Sequence, residues 1–235
     1  MGRVFEKRKH KMFARYDKMA KAFTRLGKEI AIAVKQSGPH PESNARLRTV
    51  IQNAKSLNMP KDRIESAIKR ASAKEEKDFQ EVIYEGYGPG GVAIVTECAT
   101  DNPTRTVANI RLYFSRGNGT LGKTGSLDFI FERKGVFKIA AENINAEELE
   151  LELIDFGAEE IYKEENEIFI YTRFQDFGQM QKALEDRKLR IINSELQRIP
   201  VTLTDVPAEI QEANMQLIEK IEEDDDVQAV YHNMK

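Results

Sequence analysis

The sequence has little of what most enzymes and membrane proteins need. Its 235 residues include no tryptophan, one cysteine (Cys98) and three histidines. A single cysteine excludes an internal disulfide and fits a reducing compartment, so we expect a cytoplasmic protein. No stretch approaches the 18 or so apolar residues of a membrane-spanning helix, and we therefore predict no membrane partner.

Candidate catalytic and metal-binding groups are also sparse. His10, His40 and His232 lie in three separate segments, without partners at ligand spacing. Cys98 sits in an apolar run with no histidine nearby, which is typical of an inert core cysteine. The acidic run 222–226 lacks the alternating ligands and central glycine of a calcium loop, and so indicates a solvated helix end. We predict no enzyme activity, no metal site and no cofactor.

The charge of the chain is divided at one point. Residues 1–77 hold 20 Lys and Arg against 8 Asp and Glu, whereas residues 78–235 hold 16 against 31. The total of −3 therefore hides a basic part joined to an acidic one. The basic part predicts a polyanionic partner, most often nucleic acid, because phosphate contacts release counterions. Two alternatives stay open: the two parts attract each other, or the basic run is a solvated helix face.

Apolar periodicity in the basic part predicts helices over 11–36, 44–57 and 61–72, followed by a linker over 72–78. On the first helix, apolar residues occupy one arc and cations the opposite arc, as a ridge. Aromatic residues for base stacking are few, so phosphate contacts are expected to dominate. The predicted nucleic-acid-binding residues are Lys7, Arg8, Lys9, Lys11, Arg15, Lys18, Lys21, Arg25, Lys28, Arg46, Arg48, Lys55, Lys61, Lys69 and Arg70.

The acidic part has the pattern of short strands and helices. The predicted elements are strands 82–85 and 92–98, helix 104–116, strand 127–131, strand 135–140, helix 146–156, strands 159–164 and 167–172, helix 175–187, strands 191–198 and 201–204, helix 207–223 and strand 227–233. Residues 135–198 thus have the βαββαβ order of a ferredoxin-like unit. Residues 201–233 form half such a unit, which 92–131 would complete.

The simplest architecture is an α+β fold in which the third domain is inserted into the second. We predict a basic helical domain over 1–77, a discontinuous α/β domain over 78–133 plus 200–235, and an inserted ferredoxin-like α/β domain over 134–199. Strands 92–98 and 227–233 should then share one sheet.

Two polar clusters resemble phosphate sites. The glycine-rich segment 86–91 is followed by a strand rather than a helix and carries no Lys-Ser or Lys-Thr, which favours a strand connection with positive φ angles. The segment 100–106 lies at the start of the predicted helix 104–116, where Asp101, Asn102 or Thr104 is expected to act as a cap. A minor anion-binding role at that helix start stays open.

Several strings resemble the YebC/PmpR family. They are PESNARLR (41–48), NMPKD (58–62), IE-x-AIK (64–69), YEGYGPGGVA (84–93), TDN (100–102), RTV (105–107), G-x-x-GS (122–126) and FE-x-KGV (131–136). The match extends from about residue 18 to the C-terminus. It departs at residues 2–6, where the family usually has Gly-His-Ser-Lys-Trp and this chain has Gly-Arg-Val-Phe-Glu, so no role of that His and Trp is transferred.

The resemblance implies three domains, with the third inserted into the second, and a nucleic-acid-binding regulator of gene expression. Members are commonly described as DNA-binding transcriptional regulators. Others, including a mitochondrial relative that supports synthesis of a cytochrome oxidase subunit, act on translation at the ribosome. We therefore expect a DNA-binding regulator, with an RNA- or ribosome-associated translation factor and a protein-binding adaptor as alternatives. The acidic part is expected to suit a basic protein partner.

Overall fold

The computed structural model describes residues 2–73, 78–142 and 144–235, with side chains described from residue 18 onward. The protein is a mixed α+β structure with helices and two antiparallel four-stranded sheets. Within these described ranges, no helix is long and apolar enough to cross a membrane.

The basic part forms three helices, as predicted: α1 (Gly2–Ser37), α2 (Ala45–Ser56) and α3 (Lys61–Ala71). They pack around one core, in which Ile30, Leu47 and Ala54 are fully buried. The Asn44 side chain caps α2 by accepting from the Leu47 amide at 2.9 Å, and its own amide donates to the Ala33 carbonyl at 2.7 Å. One buried side chain therefore fixes the angle between α1 and α2.

The first sheet contains two long strands, one very short strand and the last strand of the chain. Its elements are β1 (Gln80–Tyr87), β2 (Ala93–Thr100), α4 (Pro103–Arg116), β3 (Thr120–Leu121), α7 (Ala208–Glu222) and β8 (Val227–His232). The strand order is β3-β1-β2-β8. The core of this unit includes residues of β1, β2, α4, α7 and β8, among them the fully buried Ile94, Ile110 and Phe114.

The second sheet is built from one continuous stretch of chain. Its elements are β4 (Phe131–Ala140), α5 (Ala146–Leu153), β5 (Ala158–Glu164), β6 (Glu167–Arg173), α6 (Phe177–Asp186) and β7 (Ile191–Pro200). The predicted βαββαβ order of this stretch is confirmed, and the strands are arranged β5-β6-β4-β7. Phe137, Leu153, Ile170 and Met180 are fully buried between this sheet and its two helices.

The chain leaves the first sheet after β3, completes the second sheet, and returns through α7 and β8. The predicted sharing of one sheet by strands 92–98 and 227–233 is confirmed, because β2 and β8 pair antiparallel with Ile94 opposite His232. The exact domain boundaries stay a prediction.

Two predicted strands are wrong. Residues 124–130 form turns, and Leu127 and Ile130 are buried at a spacing of three, with the Ile130 amide bonded to the Leu127 carbonyl at 2.8 Å. Residues 201–204 contribute only an isolated bridge from Thr204 to Met234. The first sheet is therefore not a second βαββαβ unit, since β1 occupies a central position in it and β3 replaces the strand expected at 127–131.

The glycine-rich segment connects β1 to β2, as predicted. Gly90 and Gly91 have φ angles of 72° and 77°, in the region that disfavours residues with a Cβ atom. The Gly88 amide donates to the Val92 carbonyl at 2.8 Å and closes the connection. The glycines therefore serve the backbone of the hairpin.

Two glycines should respond oppositely to the same substitution. A Cβ atom at Gly86 would lie 2.5 Å from the Thr120 carbonyl oxygen and 2.7 Å from the Phe114 ring, whereas one at Gly27 in α1 meets no neighbouring atom of the described residues within 4 Å. We expect Gly86→Ala to lower the free energy of unfolding by about 1–3 kcal/mol through overpacking. Gly27→Ala should raise it by about 0.5–1 kcal/mol through helix propensity. Urea unfolding measures both changes. A Gly86→Ala protein as stable as the wild type would contradict the packing described.

Candidate nucleic-acid interface

The structure divides the fifteen predicted nucleic-acid-binding residues into three groups. The side chains of Lys7, Arg8, Lys9, Lys11 and Arg15 lie outside the described residues. Four of the other ten are held in contacts within the chain: Arg25, Lys28, Arg46 and Arg48. The remaining six are exposed on the three helices and are here called the exposed helical cations: Lys18, Lys21, Lys55, Lys61, Lys69 and Arg70.

The exposed helical cations are largely free of partners. Only Lys61 forms an ion pair with another described residue, a loose one of 3.4 Å to Glu65 in which both side chains are mainly in solvent. Arg63, which is not among the predicted binding residues, is also exposed, and its guanidinium lies 5.8 Å from the centroid of the Phe23 ring. That contact places α3 beside α1, so cations of two helices share one region.

Arg46 and Arg48 hold the helices against the sheets. Arg46 donates from both terminal nitrogens to the Glu81 carboxylate and donates to Gln36 at 2.9 Å. This hydrogen bonding lowers the pKa of Glu81. Arg48 donates to the Pro41 carbonyl at 3.1 Å and lies 3.8 Å from Glu185 of α6. Both guanidinium groups therefore have structural partners.

Lys28 is directed into the junction between α1 and the first sheet. Its ammonium donates to Asp226 Oδ1 at 2.8 Å, to the Asp225 carbonyl at 2.7 Å and to the Ala99 carbonyl at 3.0 Å. These three acceptors use all three donors of the ammonium group, and the side chain is only 11% exposed. One turn earlier, Arg25 donates to the Glu222 carbonyl at 3.0 Å.

Asp226 is the centre of this junction. Its carboxylate accepts from Lys28, from Arg105 at 2.6 Å, from Thr106 at 2.8 Å and from Thr100 at 3.2 Å. Burial by itself raises the pKa of Asp226, but the hydrogen bonds from Lys28, Arg105 and Thr106 outweigh it and hold the pKa at about 2. The carboxylate is therefore ionised throughout the neutral range.

The expectation of a solvated helix end at 222–226 is consequently wrong for part of the run. Asp226 is 4% exposed, and Asp224 accepts from Asn109 and from the Tyr113 hydroxyl, both at 3.0 Å. Their partners are spread over α1, β2 and α4, which lie far apart in the sequence, so local spacing gave no signal. Asn102 caps α4 as predicted, by accepting from the Arg105 amide at 3.1 Å. Beside that first turn, the chain supplies an anion of its own, the Asp226 carboxylate.

The second sheet is attached to α2 by amide groups. The Asn53 side chain donates to the Ser194 carbonyl at 2.8 Å and accepts from the Ser194 amide at 3.0 Å, as a neighbouring strand would. Gln181 of α6 donates to Gln52 at 3.1 Å.

The attraction between the basic and acidic parts, one of the alternatives from the sequence, exists at Lys28 and Arg46. It leaves the exposed helical cations available.

The carboxyl group of Glu29 on α1 provides a test by titration of how α1 packs against the sheets. Its burial raises its pKa to about 7, and the carboxylates of Glu195 and Glu81 add to the rise, while Arg46 and Arg25 oppose it. A carboxyl group whose pKa is higher in the folded state weakens the fold as the pH rises from its unfolded pKa through 7. We expect Glu29→Gln to raise the free energy of unfolding by roughly 1–3 kcal/mol at pH 8 and by much less at pH 5. Urea unfolding at both pH values checks this, and a pH-independent difference contradicts it.

Cys98 is a buried core residue, as predicted. Its side chain is 2% exposed, and desolvation raises the pKa of the thiol to about 12. The thiolate, which is the reactive form, is therefore nearly absent at neutral pH. Within the described ranges, no group of three or more His, Cys, Asp or Glu side chains is placed to hold a metal ion.

Comparison with known proteins places this architecture in a family. Residues 3–74 match the model described as the TACO1/YebC protein N-terminal domain, and residues 79–234 match the TACO1/YebC second and third domain. The chain belongs to the TACO1/YebC family. The resemblance drawn from the sequence motifs is thereby confirmed, and the two matched ranges meet within the predicted linker 72–78.

Individual relatives align with all or most of the chain. A probable transcriptional regulatory protein of Cytophaga hutchinsonii is 64% identical over 234 residues, which are 100% of this chain and 98% of the relative. Another of Flavobacterium johnsoniae is 56% identical over 236 residues, covering 100% and 99%. The crystal structure of a conserved hypothetical protein from Aquifex aeolicus superposes with a TM-score of 0.82 at 38% identity, covering 92% of this chain and 90% of that one.

Proposed function

We propose that this TACO1/YebC protein is a nucleic-acid-binding regulator of gene expression that contacts phosphates through its helical part. The observation that carries the proposal is the division of its cations. Those facing the sheets are used in contacts within the chain, whereas the exposed helical cations have no comparable partners. Five of the six form no ion pair with another described residue, and the sixth, Lys61, has only the loose contact with Glu65.

The chemistry of the exposed helical cations favours binding to the sugar-phosphate backbone. Five of the six are lysines, whose ammonium groups are compact charges on flexible stems. Base edges are read chiefly by planar groups, the Arg fork and the Asn and Gln amides, although Lys also contacts guanine. We therefore propose binding that depends strongly on salt and discriminates weakly between sequences.

Regulation of transcription through DNA is the leading form of this proposal. The relatives from Cytophaga hutchinsonii and Flavobacterium johnsoniae are both named probable transcriptional regulatory proteins, and both align with all of this chain. A DNA-binding regulator needs a cationic surface that reaches the duplex. The helical part supplies one.

Action on RNA or at the ribosome is the second form, and the acidic lobe favours it. Residues 142–167, from the end of β4 to the start of β6, hold eleven carboxylates and one cation. Naked duplex DNA repels such a surface, whereas an assembly of RNA with basic proteins offers partners to both parts of the chain. Structured RNA is also recognised largely by shape and phosphate contacts.

Crosslinking in cells, followed by sequencing of the bound DNA and of the bound RNA, tests the proposal. Peaks at promoter DNA without ribosomal RNA support transcription, and the reverse supports translation. The matched control is a variant in which Lys18, Lys21, Lys69 and Arg70 are changed to glutamate, which should lose the signal of either kind. Absence of both nucleic acids from the wild-type sample contradicts the proposal and leaves a protein-binding adaptor.

A further inference from the structure

The second sheet has one face without a helix of its own. Helices α5 and α6 both pack on the face that carries Phe137, Ile168 and Ile170. On the opposite face, strands β5 and β6 bring together Tyr162, Phe169 and Tyr171, here called the aromatic face. The centroid of the Tyr162 ring lies 5.1 Å from that of Phe169 and 5.9 Å from that of Tyr171, both in stacked orientation.

The aromatic face is accessible from solvent. Tyr162 is 38% exposed, and Phe169 and Tyr171 are partly exposed beside it. It lies at the β5 end of the sheet, whereas the contacts of α2 are with β7 at the other end. Large aromatic groups of this kind, grouped on a surface, mark sites of recognition more often than isolated ones do.

The charges around the aromatic face are mainly negative. Glu160 and Glu164 of β5 are exposed, and neither forms an ion pair with any other residue that the structure describes. The nearby cations are already neutralised: Lys138 lies 2.7 Å from Glu167, and Lys134 lies 3.0 Å from Glu159. A ligand on this face therefore meets aromatic rings surrounded by an excess of carboxylate.

The face already accepts one cation of the chain. The Lys138 ammonium lies 5.0 Å from the centroid of the Phe169 ring, within cation–π distance. The Tyr162 and Tyr171 rings can accept further cations in the same way. Glu160 and Glu164 lie close by on the same edge of the sheet. Arginine suits them well, because its guanidinium stacks on aromatic rings and pairs with carboxylates.

We propose that the aromatic face binds an extended, arginine- or lysine-rich segment of a protein partner. Cationic side chains of the segment stack on Tyr162 and Tyr171 and pair with Glu160 and Glu164. Single-stranded RNA is the obvious competitor, since sheets with paired aromatics on a central strand stack bases. The unpaired carboxylates oppose it, because phosphates beside them would be repelled. The proposal does not depend on the nucleic-acid function of the helices.

Fluorescence anisotropy of a labelled peptide of alternating arginine and glycine tests the proposal on the full chain. We expect Tyr162→Ala combined with Tyr171→Ala to weaken binding roughly 5- to 30-fold, the range for two exposed cation–π contacts. The double Phe variant, which keeps both rings, should bind like the wild type.

Reversing two charges, with Glu160→Lys and Glu164→Lys, should weaken peptide binding more than the double Ala variant does. Glu147→Lys with Glu150→Lys, an equal charge change on exposed positions of α5, should have a much smaller effect.

Three results would overturn the proposal. Equal losses of peptide affinity in the two charge-reversed variants would mean that binding depends only on the net charge of the protein. A loss of oligouridylate binding in the double Ala variant, with peptide binding unchanged, would make the face a nucleic-acid site. Wild-type self-association that the double Ala variant abolishes, in sedimentation without peptide, would make a second copy of this chain the occupant.

Discussion

Changing Lys18, Lys21, Lys69 and Arg70 to glutamate should lower the affinity for duplex DNA and structured RNA by at least about 100-fold near 0.1 M salt. Each phosphate contact releases about 0.9 counterion on binding. Losing four contacts should therefore make the slope of log affinity against log salt less negative by roughly 3–4. We expect a wild-type slope of roughly −4 to −5, for four to six contacts. The fold should persist, because all four side chains are exposed.

The matched control makes the same change of charge elsewhere. Arg116, Lys123, Lys163 and Lys182 are exposed in the acidic part and form no ion pair with another described residue. Their reversal should leave the salt slope unchanged and reduce affinity only slightly. Equal losses in both variants would indicate an effect of net charge. Unchanged binding in the first variant would mean that the helical cations are only a solvated surface.

Asp226→Ala is expected to destabilise the protein by about 3–5 kcal/mol, the cost of leaving a buried charge without its partner. The substitution leaves the Lys28 ammonium, whose side chain is 11% exposed, with two carbonyl acceptors but without its counter-charge. It also removes one acceptor each from Thr106 and Arg105. It should therefore loosen the contact between α1 and the first sheet. Urea unfolding at pH 7 measures the change.

The exposed pair of Lys220 and Glu223 is the control for Asp226. Its atoms are 2.6 Å apart, closer than those of Lys28 and Asp226, but its side chains are 62% and 49% exposed. Water and salt screen such a pair, and we expect no measurable effect of Glu223→Ala. If both substitutions cost the same, burial does not govern the strength of the Asp226 contact.

The pH dependence of the Asp226 effect follows from its lowered pKa. A carboxyl group with a pKa of about 2 in the folded protein, against 3.8 ordinarily, contributes its stabilisation fully above its unfolded pKa. That contribution is lost as the pH falls towards 2. The difference between the wild type and Asp226→Ala should therefore be constant from pH 7 to 5 and shrink below pH 4. A constant difference down to pH 3 would contradict the ion-pair origin of the effect.

Sequence patterns predicted those elements that are long or that form one local unit. The helices of the basic part are amphipathic over several turns, and the second sheet is complete within 131–200, so both follow from local periodicity. The strand predicted at 127–131 failed because a short apolar run fits a strand and a turn equally well. In the protein, the buried Glu85 carboxylate accepts from the Gly125 and Leu127 amides at 2.9 and 2.7 Å and holds that segment as a turn.

The candidate interface shows the same limit. Lys21 and Lys28 are two turns apart on one face of α1, and the sequence assigns both to the cationic ridge. In the structure, Lys21 is exposed, whereas Lys28 lies against Ala99 and Asp226. Only the packing of α1 on the first sheet distinguishes them, and no local pattern encodes that contact. Periodicity could therefore identify the surface but not its boundary.

Mapping of photocrosslinks shows which part of the protein touches nucleic acid. The full-length protein is crosslinked by ultraviolet light to labelled duplex DNA and to structured RNA, and the crosslinked peptides are identified by mass spectrometry. We predict crosslinks within residues 1–73, including peptides that carry Lys18, Lys21, Lys69 or Arg70. Crosslinks concentrated in residues 131–200, with none in α1, α2 or α3, would contradict nucleic-acid binding by the helical part.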